Sequence, residues 1–288
     1  RTVIGDNEVQ GLDYAYTIHG WLKGVNAATL DESRDPGQDD GSGIARDAMG
    51  YNLHYYNGDY TSIGTTSFLP TNGTSSTQLG HTTGDLYNGN ISAMTTGNRA
   101  MLNEGKGVLG MGYKYDQLNR LVSSTSYLMD ATAQNNNSWA GIASANKWST
   151  AYSYDANGNL LNTFRRGHKP IDLVMDDLDY HYLDGTNKLL SVVEEAHTSQ
   201  VTQYTAAEHA AEFTTLDGGV EDINPGQLTP TDDADPDDPN ANYKYDKIGN
   251  LIKDVQEEID DIEWTVSGKV AKVKRTSTST KADLEFAY

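Results

Sequence analysis

Residues 152–160 read Tyr-Ser-Tyr-Asp-Ala-Asn-Gly-Asn-Leu, and this stretch decides the fold class that we predict for the chain. Closely similar stretches begin at Tyr113 and Tyr243, and looser copies begin at Tyr14 and Tyr180. Because successive side chains of a strand point to opposite faces, the two tyrosines of each copy lie on one face. The chain is therefore predicted to repeat one short β unit.

The residues that follow the tyrosine pair are typical of a hairpin turn. Asp155 takes the first turn position, where its carboxylate can accept hydrogen bonds from backbone N–H groups. Gly158 takes the last position, where a positive φ costs a glycine little. Asn119 replaces this glycine in the copy at 113–121, and asparagine tolerates positive φ better than most residues.

A further copy near the end of the chain gives the length of the repeat. Trp264 and Gly268 align with Tyr245 and Gly249, which lie 19 residues earlier. A period of about 20 residues is the size of one strand pair, and neighbouring hairpins cover each other's edges. The predicted fold is all-β, with one long winding antiparallel sheet of hairpins.

The predicted structural repeat residues are Tyr14, Tyr16, Gly20, Trp21, Tyr113, Tyr115, Asp116, Asn119, Tyr152, Tyr154, Asp155, Gly158, Tyr180, Tyr182, Tyr243, Tyr245, Asp246, Gly249, Trp264 and Gly268. In the first copy Thr17 stands where the other copies have aspartate.

We interpret residues 1–288 as a single repeat segment with flexible insertions at 31–47, 61–84, 130–147 and 194–242. Trp139 and Trp148 could pin the third insertion to the sheet. Within the fourth insertion, the acidic and proline-rich run has too few apolar side chains to offset the cost of ordering. Since the chain begins with arginine and stops within an aromatic-x-aromatic stretch, we expect a fragment of a longer chain.

Composition excludes several classes of partner and site. The chain has 21 basic and 41 acidic residues, and its net charge of −20 disfavours nucleic acid and anionic membranes. It contains 18 tyrosines but no cysteine, so it has no disulfide framework and no thiolate site. No run approaches the ~20 apolar residues of a membrane-spanning helix, and no signal peptide is present.

The motif Tyr-x-Tyr-Asp-x-x-Gly-x-Leu resembles that of the Rhs/YD-repeat family, in the form seen with type IX secretion. Six blocks carry the resemblance, and they lie at 14–26, 49–60, 88–91, 113–121, 152–165 and 243–254. The resemblance implies a hollow shell that holds a C-terminal toxin domain. It also implies secretion to, or display on, the surface of a Gram-negative bacterium.

The same resemblance implies a set of partners. They would be the rest of the protein's own chain, the enclosed cargo domain and the secretion machinery.

The chain departs from the family at one point. Family members that release their cargo carry an Asp-Pro-x-Gly-Leu cleavage region. The Asp-Pro pairs of this chain, at Asp35, Asp235 and Asp238, do not match that region.

The residues themselves predict no metal, cofactor or catalytic centre. The seven histidines lack the spacing of a transition-metal site, and no nucleophile elbow or phosphate-binding loop is present. The paired carboxylates at 39–40, 176–177 and 260–261 are interpreted as solvated surface rather than as acid and base. Calcium binding at 232–238 stays open, although a disordered acidic loop is favoured.

Three functions follow in order of preference. The first is a structural shell segment without catalysis, which encloses a toxin cargo and helps to deliver it. The second is an extracellular or cell-surface adhesin that binds glycans or neighbouring cells through loops such as 61–84. The third, a glycan-cleaving enzyme that uses a carboxylate pair, has the least support.

Overall fold

The protein is described from a computed structural model that covers residues 1–6, 10–39, 43–63, 66–71, 79, 84–145, 147–167, 174–194, 230 and 233–288. The strands are β1 (Thr2–Ile4), β2 (Gln10–Leu12), β3 (Tyr14–Tyr16), β4 (Leu22–Val25), β5 (Met49–His54), β6 (Ala93–Asn98), β7 (Leu109–Tyr115), β8 (Leu121–Leu128), β9 (Thr150–Tyr154), β10 (Leu160–Arg166), β11 (Val174–Tyr182), β12 (Leu189–Glu194), β13 (Tyr243–Tyr245), β14 (Leu251–Asp254), β15 (Ile259–Trp264), β16 (Val270–Arg275) and β17 (Leu284–Glu285).

Strands dominate this structure, and the predicted all-β fold class is confirmed. The α-helices of the described residues are two five-residue turns, α1 (Arg99–Asn103) and α2 (Ala131–Asn135), and a 3-10 turn spans Glu32–Arg34. No helix in the described part of the chain has both the length and the apolar character needed to cross a membrane.

Each sheet keeps the order of the chain. β1 pairs with β2, β3 to β12 form one ten-stranded antiparallel sheet, and β13 to β17 form a five-stranded antiparallel sheet. Within each sheet every strand pairs with the strand before it and the strand after it. This arrangement is the long antiparallel meander that the repeat predicts, because each hairpin pairs with the next one along the chain.

The chain divides into two compact units, the first of which is Arg1–Thr150. Its largest core cluster lies where β6, β7 and β8 meet the segment that contains α2, and Trp139 is its largest fully buried side chain. The ring of Trp139 lies against Gly110, where an added Cβ would come within 2.7 Å of Cη2. A small residue at this point of β7 is what allows the indole to reach the sheet.

The second unit contains the described residues from Ala151 onward. Its buried apolar side chains lie on two pairs of strands. Leu178 on β11 and Leu190 on β12 belong to the first pair, and Ile262 on β15 and Val273 on β16 belong to the second. Most other side chains of these strands are half-buried, so the apolar core of this unit is thin.

The insertions contain more regular structure than the sequence predicts. Residues 130–147 include α2, which Asp130 caps by accepting from the backbone N–H of Ala133 at 2.8 Å. Trp139 pins this segment as expected, and its Nε1 donates to Thr95 Oγ1 at 3.3 Å. Trp148 is only half-buried. Most of the insertion at 61–84 lies outside the described residues, although Phe68 and Leu79 are buried.

Residues 235–242 also differ from the disordered acidic loop that we predict. Asp235 Oδ1 accepts from the N–H of Asp237 at 2.9 Å, and Asp238 Oδ1 accepts from the N–H of Asn240 at 2.7 Å. Asp238 and Ala241 are buried. A count of apolar side chains does not include the ability of each aspartate to order the turn that follows it.

Candidate functional site

The predicted repeat residues form the candidate site, and its first part is the turn aspartate. Asp155 Oδ1 accepts from the N–H of Asn159 at 2.8 Å, and Asp155 Oδ2 accepts from the Asn159 side chain at the same distance. Asp246 makes the equivalent pair of bonds with Asn250, and Asp116 makes them with Arg120. The carboxylate therefore holds both ends of the turn.

These bonds stabilise the charged form of the carboxylate. At Asp116 the backbone hydrogen bond from Arg120 holds the pKa below its ordinary value. At Asp155 and Asp246 partial burial works in the opposite direction, but the hydrogen bonds from Asn159 and Asn250 outweigh it and the pKa is again lowered.

The residue at the last turn position has the predicted positive φ. Gly158 and Gly249 both have φ of 96°, Gly268 has 76° and Asn119 has 64°. In the copies that have threonine in place of the aspartate, the threonine hydroxyl accepts the equivalent backbone hydrogen bond. Thr265 Oγ1 accepts from the N–H of Lys269 at 3.0 Å. The turn after β11 differs, because it runs from Leu183 to Lys188 and is one residue longer than its relatives.

A β-bulge follows each of these turns for which the pairing of the two flanking strands is described. In the hairpin of β7 and β8, Lys114 pairs with Ser123 while Tyr115 pairs with Leu121, so Val122 is an extra residue on the return strand. The same shift occurs in the other hairpins whose register is described. The extra residues are Lys23, Val122, Leu190, Ile252 and Ala271. A bulge interrupts the ladder, and backbone groups beside it need other partners.

The second aromatic residue of the next unit supplies such a partner. Its side chain donates a hydrogen bond to a backbone carbonyl of the preceding unit, at 2.8–3.0 Å, and we call this bond the latch. The donors and acceptors are Tyr55 with Leu22, Tyr115 with Ile91, Tyr182 with Leu160, Trp264 with Leu251 and Tyr288 with Val270. The Tyr245 hydroxyl is likewise hydrogen-bonded to the backbone of Leu189.

Four of the six latch acceptors lie at the same place relative to a bulge. Leu22, Leu251 and Val270 each come directly before a bulge residue, as does Leu189. A tryptophan can replace tyrosine because the latch needs a donor on a flat apolar body, and both side chains provide one. The latch therefore explains why position 264 is Trp and not Phe.

In the hairpin of β3 and β4 no other hairpin of the ten-stranded sheet covers the tyrosine pair. β3 is the edge strand of the ten-stranded sheet, and Tyr14 and Tyr16 are 40% and 55% exposed. Ala15 points to the opposite face and is buried. In β7, by contrast, Tyr113 and Tyr115 are half-buried, and burial raises the pKa of both phenols.

Sequence reasoning missed two latch residues. The adjacent Tyr56 obscures the aromatic-x-aromatic spacing around Tyr55. Tyr288 ends an aromatic-x-aromatic stretch that has no turn residues after it in this sequence. The signals that could identify them are the Asn57-Gly58 turn that follows Tyr55 and the Phe286 that precedes Tyr288.

A buried ion pair was missed as well. Lys23 Nζ lies 2.7 Å from Asp59 Oδ2, and both side chains are at most 5% exposed. The same carboxylate oxygen accepts the N–H of Tyr55 at 3.0 Å. Burial lowers the pKa of Lys23, and the bond to Asp59 opposes that shift. Lys23 is the bulge residue of its hairpin, and a bulge can redirect a side chain in this way.

His54 lies beside this pair and is neutral. Its Nε2 is 3.2 Å from Thr95 Oγ1, and burial, with a smaller contribution from Lys23, lowers its pKa to about 3. His54 is the last residue of β5. His181, the other strand histidine, lies 3.6 Å from Asp233.

The carboxylate pairs do not form an acid and base facing one another. The prediction of solvated surface is wrong for Asp176, which is buried and pairs with Arg165, whereas Asp177 accepts from Asn162 at 3.0 Å. Asp260 and Asp261 pair with different lysines on the surface. Residue 40 lies outside the described residues, as does residue 232 of the open calcium question. Within the described ranges, no group of three or more metal-ligating side chains is placed to hold an ion.

A separate cluster of carboxylates lies in the first unit, within the insertion at 31–47. Asp39 and Asp47 are buried, and Asp35 Oδ2 accepts from the N–H of Asp39 at 2.9 Å. Asp47 Oδ1 accepts from Gln10 at 2.8 Å. Burial, followed by the charges of Asp35 and Asp39, raises the pKa of Asp47 to about 7.

The hairpin, its capped turn, its bulge and its latch together form one structural unit that recurs along the chain. No protein-family model matches the chain, and no curated protein sequence matches it either.

Proposed function

We propose that this chain is a structural segment of the shell of a large secreted Rhs/YD-repeat protein, which encloses a toxin cargo and helps to deliver it. The observation that supports the proposal is the latch, because it links each unit to the one before it in chain order. A wall built in this way can be extended without a new kind of contact.

The proposal assigns no catalysis to the chain. Its repeat residues are occupied in turns and latches, and the carboxylate pairs are engaged with basic or amide side chains. The partners would be the rest of the protein's own chain, the cargo and the secretion machinery, and the location would be outside a Gram-negative cell.

Protease protection tests the proposal. The native protein that contains this chain would be isolated and treated with a nonspecific protease, and the surviving fragments would be identified by mass spectrometry. We expect a cargo segment to survive as long as the sheet is intact. A protein in which Tyr182→Phe, Trp264→Phe and Tyr288→Phe remove three latches should lose that protection at a lower protease concentration.

The matched control carries Tyr16→Phe, since the Tyr16 hydroxyl is exposed and forms no latch among the described residues. Rapid digestion of every segment other than the sheet itself, with or without the latches, would rule out encapsulation and would leave surface display as the better account.

A further inference from the structure

Four aromatic side chains form a strip across neighbouring turns of the first unit. Ring centroids are 5.0 Å apart for Trp21 and His19, 6.5 Å for His19 and Tyr56, and 4.7 Å for Tyr56 and Tyr87. Tyr87 is 69% exposed, His19 is exposed, and Trp21 and Tyr56 are half-buried. Part of the ring surface of these four residues, which we call the aromatic strip, is therefore accessible to solvent and not buried in the core. Exposed apolar surface of this kind marks interaction sites.

Hydrogen-bonding groups lie at one end of the strip. Asp85 Oδ1 accepts from the N–H of Asn57 at 2.8 Å, and Asp85 Oδ2 accepts from the Tyr87 hydroxyl at 3.3 Å. The carboxylate is exposed and has lone pairs left for a ligand. The negative charge of Asp85 raises the pKa of Tyr87 above its ordinary value.

Three asparagine side chains on two neighbouring turns add further hydrogen-bonding groups. The side chains of Asn88 and Asn90 both donate to Asn119 Oδ1, at 2.6 and 3.2 Å. Each amide nitrogen has two hydrogens, and only one of them is used in these bonds. We call these three residues the amide row. Gly89 lies between them and keeps the turn close to the indole of Trp21, with room for no more than an ordinary contact.

The chemistry of the strip restricts its ligand. A pyranose ring has an apolar C–H face that suits an aromatic ring, and hydroxyl groups around its edge that suit a carboxylate acceptor and amide donors. An anionic ligand is disfavoured by Asp85 and by the net charge of −20. A peptide would need apolar pockets or a free strand edge, and the strip offers ring faces and amides instead.

We propose that the aromatic strip and the amide row form a binding surface for neutral glycans, that is, oligosaccharides of hexoses without acid groups. The surface belongs to the first unit alone, and it does not depend on whether the sheet encloses a cargo.

Ligand-observed saturation-transfer NMR, followed by calorimetry, tests the proposal on the whole chain. The probes would be maltoheptaose, cellohexaose and a mannohexaose, with an acidic hyaluronan oligosaccharide for comparison. At least one neutral probe should bind with a Kd of roughly 1 mM or tighter, and the acidic probe should bind more weakly. Tyr87→Ala should weaken binding about tenfold, whereas Tyr87→Phe should retain most of it.

Two further variants complete the experiment. Asp85→Asn should weaken binding several-fold without removing an aromatic ring. Tyr16→Ala, which removes an equally accessible tyrosine outside the strip, should leave the affinity within a factor of two. Urea unfolding curves would establish that each variant is folded.

Three results would overturn the glycan surface. The first is that no neutral probe receives saturation at millimolar concentration. The second is that binding is unchanged by both Tyr87→Ala and Asp85→Asn. The third is that the strip binds unfolded, carboxymethylated casein but no oligosaccharide, which would make it a polypeptide surface. None of these results bears on the protease experiment above.

Discussion

The second aromatic side chain of each unit is the residue that connects neighbouring hairpins. Its hydroxyl or indole N–H reaches a carbonyl of the preceding hairpin, and for Trp264 and Tyr288 that carbonyl lies directly before a bulge residue, where the strand ladder is interrupted. A half-buried carbonyl without a donor is costly, so the latch matters more for what it satisfies than for its own bond energy.

Tyr182→Phe tests the latch at the level of one atom. We expect it to lower the free energy of unfolding by about 1 kcal/mol, because the Leu160 carbonyl loses its donor. Urea denaturation followed by circular dichroism would measure the change. Tyr16→Phe is the matched control and should change stability by less than about 0.5 kcal/mol. An equal loss in both variants would mean that the latch contributes nothing.

Gly158→Ala tests the turn. With φ of 96°, this position strains any residue that has a Cβ, and we expect a loss of about 1–2 kcal/mol. Asn157→Ala, at the exposed neighbouring position, should be close to neutral. The same urea experiment measures both, and an unchanged midpoint for Gly158→Ala would contradict the backbone argument.

At the scale of elements, the bulge determines how a side chain of the return strand is used. Most bulge residues are apolar, but Lys23 is carried into the interior, where Asp59 neutralises it. An isolated buried charge is strongly unfavourable, so the contributions of the two residues to the free energy of unfolding depend on each other.

The Lys23–Asp59 pair gives a prediction for a double-mutant cycle. Lys23→Met alone should cost about 3–5 kcal/mol, since it leaves a buried carboxylate without its cation. Adding Asp59→Asn should recover most of that loss, because asparagine stays neutral and can still accept the Tyr55 N–H. Chemical denaturation of the two single variants and the double variant gives the coupling. Additive effects would show that the pair does not act as a unit.

Hairpin order, turn chemistry and strand faces could be predicted from sequence because they depend on neighbours within about ten residues. Asp155 and Gly158 are examples, since both act within one turn. The latches, the Lys23–Asp59 pair and the aromatic strip join residues from different hairpins. A local pattern has no access to such contacts until the register is known, and the bulge shifts that register by one residue.

Residues 130–147 and 235–242 are more ordered than the sequence predicts. Trp139 is buried because Gly110, some thirty residues earlier, leaves space for it on the sheet. Asp235 and Asp238 order their segment through local backbone bonds that an apolar count ignores.

At the scale of the whole molecule, the acidic composition makes stability depend on pH in two opposite ways. The raised pKa of Asp47, about 7, means that the folded chain holds a proton that the unfolded chain has released. This contribution is lost as pH rises from about 4 through 7. The lowered pKa values of Asp116, Asp155 and Asp246 act in the other direction, and their contribution is lost as pH falls below about 4.

Burial also lowers the pKa of His54 to about 3, so the stability that comes from keeping this imidazole neutral is lost as pH falls below about 6.5, which opposes the effect of Asp47. The predicted result is a broad stability maximum between about pH 4 and 7, and thermal melts of the wild type and of Asp47→Asn across pH 3 to 8 would separate the two groups. Asp47→Asn should be more stable than the wild type by an amount that grows as pH rises from about 4 to 7 and reaches roughly 2 kcal/mol at most at pH 8, since it removes the charge and keeps an acceptor for Gln10. A difference between the two proteins that stays constant over this range would contradict the assignment of Asp47.

The direction of the latch has a consequence for how such a chain becomes ordered. In the five latches with a measured length the acceptor precedes its donor in sequence, by between 13 and 33 residues, so each of these hairpins is completed by one that follows it in the chain. A polypeptide that is synthesised or exported from its N-terminus can therefore form these bonds stepwise, without waiting for distant segments. This order of bonds favours assembly of the sheet from the N-terminus towards the C-terminus, one hairpin at a time.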